Sequence, residues 1–92
     1  MKNPAGEARF HINPVEMNLS ATEVWFDKDY IFIKFENGRI VGNPLIWYPK
    51  LVAASEEDKK AFELWRNGEW IHWEALDEDL STEGFMKFSP NL

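Results

Sequence analysis

The stretch "KAFELWRNGEWIHW", residues 60–73, decides how this chain folds. Phe62 and Trp65 lie three residues apart with Ala61 beside them, the spacing of a helix face laid on a sheet. Ser55 reads as the N-cap of that helix, with Asp58 in the box position three residues on. Glu56, Glu57 and Asp58 fill its first turn, where the helix dipole favours anions. Asn67-Gly68 stops it in the left-handed manner. "EWIHW" (69–73) then reads as a short strand, with Trp70 and His72 pointing one way and Ile71 and Trp73 the other.

Upstream, "TEVWFD" (22–27) and "YIFIKFE" (30–36) are rich in β-branched and aromatic residues and flank the acidic turn Asp27-Lys28-Asp29. Ile31, Ile33 and Phe35 share one face of the second strand, and Tyr30, Phe32 and Lys34 the other. Asn37-Gly38 predicts a type I′ hairpin turn, with positive φ at both central residues. "RIVG" (39–42) follows as a third strand, and Pro44 ends it by removing a backbone donor. "WYPKLVAA" (47–54) forms a helical turn or two with Pro49 at N1. "LDEDLSTEGF" (76–85) reads as a turn into a last short helix capped by Ser81. The expected fold is α+β: a three-stranded antiparallel meander plus a short fourth strand, with two to three short helices packed on the sheet. Residues 21–92 form its single domain. Residues 1–20 are an N-terminal extension interrupted by Pro4, Gly6 and Pro14, in which Val15, Met17 and Leu19 alternate as a short half-buried strand would.

With 92 residues there is room for one core. Hydrophobic residues at 45% place the chain among globular proteins rather than disordered ones. No cysteine is present, which excludes disulfides, thiolate zinc and thiol catalysis, and fits a reducing compartment. No apolar run approaches the roughly 20 residues of a spanning helix, and the amino terminus lacks a signal peptide's apolar region, so the expectation is a cytoplasmic protein away from the membrane. The net charge of −6 is concentrated in one segment. Glu69, Glu74, Asp77, Glu78, Asp79 and Glu83 carry it with no lysine or arginine among them. The other 10 acids are matched by the 10 bases. Such a field repels phosphate backbones and attracts basic surfaces, which argues against free nucleic acid as a partner.

Chemistry finds little support. His72 held by Asp77 or Asp79 is a general base in principle, but no serine is tied to it by a motif and no cysteine exists. The competing reading is a half-buried histidine bonded to a carboxylate or carbonyl, fixing the turn that follows. His72 with Asp77, Glu78 and Asp79 meets neither EF-hand nor zinc spacing, and His11 lies in the extension. Scattered glycines make no phosphate cradle. Lys59, Lys60 and Arg66 read as a solvated basic face. The five tryptophans are mostly core, yet a strand with Trp on both faces hides both only if covered on two sides. One left exposed beside acids makes an aromatic-anchored, negatively charged surface for a basic partner.

The segments "LIWYPKLVAASEEDKKAFEL" (45–64) and "NGEWIHWEALDEDLSTEGF" (67–85) resemble the bacterial domain-of-unknown-function family 2442. Trp47, Pro49, Lys50 and Leu51 match its aromatic-proline-basic-leucine step, and Ala54, Ser55 and Glu57 its helix start. Ile71, His72, Trp73, Leu76, Asp77, Glu78, Asp79, Ser81, Glu83 and Gly84 carry the specific "IHWxxLDEDLSxEG" block. Glu69-Trp70 and Glu74 depart from the pattern, and the first 20 residues lie outside it. The resemblance implies a small α+β domain without an assigned activity, whose genes often neighbour another small family linked to toxin–antitoxin pairs. Some relatives carry a helix-turn-helix after the domain, for which 92 residues leave no space.

The expected function is therefore a non-enzymatic protein-binding module, antitoxin-like or regulatory, with no cofactor and no metal. Trp70 or Trp73 serves as anchor, His72 sits beside them, and Asp77, Glu78, Asp79 and Glu83 steer a basic, toxin-like protein. One alternative is a homo-oligomerising structural domain in which the aspartates cap the last helix and residues 1–20 cross between copies. Another is an enzyme using His72 and the acids, with or without a metal.

Overall fold

The computed structural model describes residues 20–87. The expected strand at Val15, Met17 and Leu19, the crossing-over of residues 1–20 and the second histidine, His11, lie outside them. β1 (Ala21–Phe26), β2 (Tyr30–Phe35) and β3 (Ile40–Pro44) form the antiparallel meander that the residue types require. Asp27 shapes its first turn, its Oδ1 accepting from the Asp29 and Tyr30 N–H groups at 2.8 and 2.7 Å. Ile31, Ile33 and Phe35 are buried on one face as expected. The pairing of β1 slips between Ala21 and Glu23, so Ala21 and Val24, three residues apart, both reach the core.

The second turn differs from the type I′ expectation. Gly38 is left-handed at φ 92°, whereas Asn37 has no positive φ. Gly38 N–H donates to the Phe35 carbonyl, and Phe35 N–H to the Arg39 carbonyl, both at 2.8 Å. The Asn37 side chain is spent on the Arg39 N–H at 2.9 Å. A three-residue loop closed by one left-handed glycine joins the strands.

Beyond β3, a 3₁₀ turn at Leu45–Trp47 leads into α1 (Pro49–Val52), with Pro49 at its start as expected. α2 (Glu56–Lys60) begins at Ser55, whose Oγ accepts from the Asp58 N–H at 3.0 Å. The helix then stops at Ala61, well short of Arg66. Phe62–Trp65 is a strand, β4, followed by β5 (Trp70–Trp73) and, after a 3₁₀ turn at Glu74–Leu76, by β6 (Glu78–Ser81). These make a second antiparallel sheet in the order β4-β5-β6. The expected helix over Phe62 and Trp65, and the lone fourth strand beside the meander, are both replaced by this sheet. The reason is backbone hydrogen bonding. An isolated "EWIHW" strand would leave its polar edges unpaired beside a hydrophobic core, and flanking strands satisfy both edges. Asn67-Gly68 accordingly turns a hairpin instead of ending a helix, with Arg66, Asn67 and Gly68 at φ 55°, 58° and 85°.

α3 (Thr82–Lys87) follows β6 directly. Its cap is Ser81, as the sequence indicates, with Oγ accepting from the Gly84 N–H at 2.9 Å; no aspartate serves that role.

Both sheets turn their apolar faces to one core. Val24, Ile31, Ile33 and Phe35 come from the first, Ile71 and Trp73 from the second, and Leu45, Tyr48, Leu51 and Phe85 from the helical segments. Trp73, fully buried, meets Phe26 and Phe62 edge-on or tilted and donates its indole N–H to the Lys59 carbonyl at 2.9 Å. Lys59 is itself buried, paired with Glu56 at 3.0 Å and set over the Phe26 ring, so the basic face expected on this helix loses its first member to packing.

The two left-handed glycines are not equivalent. A Cβ on Gly68 would lie 2.5 Å from the Ala21 carbonyl oxygen, while one on Gly38 meets nothing within 4 Å. Gly38→Ala should cost about 1 kcal/mol of backbone strain, and Gly68→Ala more than about 2 kcal/mol because strain and backbone collision add. Urea unfolding of the two variants with unchanged slope measures this.

Candidate functional site

The pairing of β4, β5 and β6 lays out the outer face of the second sheet in rows. Glu63, His72 and Asp79 stand opposite one another, and beside them Trp65, Trp70 and Ser81. Strand alternation sends Trp70 and His72 to this face and Ile71 and Trp73 to the core, as expected. Trp73 is thereby removed from the candidate anchors, because its ring has no exposed surface, and Trp70 keeps the role at 37% exposed.

His72 organises the face. Its Nδ1 lies 2.5 Å from Asp79 Oδ1 and its Nε2 2.7 Å from Glu74 Oε1. Trp65 stacks on the imidazole with centroids 4.0 Å apart, and donates its indole N–H to Glu63 Oε1 at 3.0 Å. Two carboxylate acceptors, Glu74 foremost and then Asp79, raise the His72 pKa above its usual value, against the opposing effect of desolvation. The protonated ring donates from both nitrogens and keeps no lone pair with which to take up a proton. Among the described residues no three His, Asp or Glu side chains converge as a metal would require.

The acidic segment is therefore divided in two. Glu74 and Asp79 are engaged by His72, and Glu83 pairs with Lys87 at 3.0 Å. Lys50 reaches across to donate to the Asp77 carbonyl at 2.8 Å but leaves that residue's carboxylate alone. Among the described residues the side-chain carboxylates of Glu69, Asp77 and Glu78 have no ion pair or hydrogen bond. The expectation of a wholly uncompensated anionic cluster thus holds for half of it. The other half finds partners within the fold: His72 for Glu74 and Asp79, because β5 and β6 bring His72 and Asp79 into register, and Lys87 for Glu83 within their own helix.

Along the outer edge of β6 runs a groove of about 350 Å³. Trp47, Pro49 and Trp70 wall it, Tyr48 and Phe85 lie beneath, and Glu78, Asp79, Ser81 and Gly84 line its polar side. Its base is rigid. Tyr48 and Phe85 stack with centroids 6.0 Å apart, and the buried Asn43 amide donates to the Tyr48 hydroxyl at 2.8 Å and the Phe85 carbonyl at 3.0 Å. Burial pushes the Tyr48 pKa up despite the Asn43 bond, so this hydroxyl stays protonated. Of the residues expected at the site, the groove gathers Trp70, Glu78 and Asp79; His72 and Asp77 flank it, and Glu83 is turned to its own helix. Trp47, Tyr48 and Phe85 were not anticipated, since nothing local links positions nearly 40 residues apart in sequence. Trp65 and Glu63 were missed with β4. The alternation of Phe62 and Leu64 with Glu63 and Trp65 was the signal available for them.

The His72 arrangement sets a pH dependence. A raised folded pKa means the stabilisation is complete below the unfolded value of about 6.5 and is lost as pH rises through the folded one. The melting temperature of the native chain should therefore fall as pH increases above 6.5, and His72→Gln should flatten that slope. NMR titration of His72 should show its pKa moving back toward the ordinary value in either Glu74→Gln or Asp79→Asn.

Comparison with known proteins agrees with this architecture. No curated protein matches the chain. A crystal structure of a protein of unknown function from Rhodospirillum rubrum ATCC 11170 is similar, with 31% identity and a TM-score of 0.64 over 74% of this chain and 84% of that one. No helix among the described residues is long and apolar enough to cross a membrane. The family model described as protein of unknown function (DUF2442) matches residues 21–91, and the chain belongs to that family.

Proposed function

We propose that this chain is a small non-enzymatic protein-binding module that engages a basic partner through the second sheet's outer edge. The observation that carries the reading is the half-exposed Trp70 at a preformed groove whose Glu78 carboxylate has no partner among the described residues. An exposed aromatic anchor beside an unpaired carboxylate is the composition of an interface hot spot with electrostatic steering. The His72 ring, held by a carboxylate at each nitrogen, supports a structural role for that residue over a catalytic one. The antitoxin-like form of the reading draws on the gene neighbourhood that the family resemblance implies. The surface chemistry supports a cationic protein partner and carries the reading no further.

Affinity capture from the native cell tests this. The native chain should retain a basic protein at low salt and release it as screening shortens the Debye length from about 10 Å at 0.1 M toward about 3 Å at 1 M. A Glu69→Gln, Asp77→Asn, Glu78→Gln triple variant should fail to retain it. Equal retention by the variant, or at both salts, overturns the proposal.

A second reading is favoured by the opposite face. Trp25, Phe32 and Tyr30 stack in a row on the outer side of the first sheet, with centroids 5.5 and 5.9 Å apart, and Ile40 stands exposed on the same side. Self-association through this strip accounts for apolar surface that the core does not use. Sedimentation velocity should then show a dimer that Tyr30→Glu with Ile40→Glu converts to monomer. A native chain that sediments as a monomer ends this reading.

A further inference from the structure

We infer that the groove along β6 is a receptor for one arginine side chain of the partner, an inference that rests on the protein-binding reading above. The carboxylates alone do not make the site; its walls do. The indoles of Trp47 and Trp70 and the ring of Pro49 border an open groove of about 350 Å³, with room for one long side chain. A guanidinium is planar and weakly hydrated, so it stacks on an indole at small desolvation cost. Lysine offers a compact, strongly hydrated charge that uses such walls less well.

The acceptors are placed to meet it. Among the described residues β6 is an edge strand, paired only with β5. The Thr82 N–H donates to the Glu69 carbonyl at 2.9 Å, which sets the alternation of that ladder. By that alternation Glu78 and Leu80 bond toward β5, and the main-chain carbonyl of Asp79 points away from it, to the groove side. The Asp79 carboxylate is fixed through Oδ1 by His72 and keeps its second oxygen. These oxygens suit the N–H donors of a guanidinium, and Glu78, unpaired among the described residues, adds negative charge at the same edge.

The fold also contains a precedent. Lys50 already places its ammonium on the Asp77 carbonyl, the preceding outward-facing carbonyl of this edge. That contact closes one end of the edge, and α3 consumes the other by continuing directly from Ser81. An added β-strand therefore finds too short a ladder, whereas a single cationic side chain entering between the two ends is accommodated.

Titration with Nα-acetyl-arginine methylamide tests the site directly, followed by the indole N–H resonances. The Trp70 and Trp47 signals should shift saturably while Trp25, on the outer face of the other sheet, stays still. The neutral isostere Nα-acetyl-citrulline methylamide should bind about tenfold more weakly, as expected for loss of a charge-assisted hydrogen bond. Glu78→Gln should weaken arginine binding alone, and Trp70→Leu should remove it, in proteins whose remaining spectra show the native fold. Equal response to arginine and citrulline, or a Trp25 shift as large as that of Trp70, overturns the inference. If the probe fails while a basic protein is still captured, the arginine site falls and the binding module stands. If the probe binds and no protein is captured, the reverse holds.

Discussion

Trp73 joins the parts of this molecule. It is the largest fully buried side chain among the described residues, and it lies where the inner faces of the two sheets meet. Its ring touches Phe26 from the first sheet and Phe62 from its neighbouring strand, and its N–H ends on the carbonyl of Lys59 in the second helix. A buried indole needs both a large apolar contact and one acceptor. Meeting those two demands at once positions the helix end, the start of β4 and the end of β5. Because β5 alternates, burial of Ile71 and Trp73 obliges Trp70 and His72 to face outward. The candidate site is thus a consequence of the core.

Electrostatics on that outer face are arranged by the same register. Opposing Asp79 to His72 engages one carboxylate of the acidic run with the imidazole, and Glu74 closes the other ring nitrogen. Glu69, Asp77 and Glu78 remain unpaired among the described residues, and Glu78 lines the aromatic groove with its hydrogen-bonded base.

The chain contains Asn-Gly twice, and the two copies show how context assigns conformation. Asn37-Gly38 reads as a two-residue type I′ turn yet forms a three-residue loop, because the Asn37 side chain bonds the Arg39 N–H and Gly38 alone goes left-handed. Asn67-Gly68 reads as a helix stop yet sits in three successive left-handed residues of a hairpin. The segment before it, "FELW", satisfies helical spacing through Phe62 and Trp65 and strand spacing through Phe62 and Leu64. Alanine, lysine, glutamate and leucine around it favour helix. Pairing with β5 overrides that preference, since unpaired buried backbone costs more than the propensity difference of a few residues.

Local chemistry was enough to specify the α+β class, the meander with its buried Ile31, Ile33 and Phe35, the caps at Ser55 and Ser81, Pro49 at a helix start and the divided faces of "WIHW". Each depends on side-chain period or on bonds to residues a few positions away, which a linear chain displays. The second sheet, the partner of His72 among several nearby acids, the loss of Trp73 as an anchor and the union of Trp47 with Trp70 and Phe85 in one groove depend on contacts distant in the chain. Those were decided by which strands shared hydrogen bonds and which rings filled the common core. Neither quantity exists until the backbone has closed on itself.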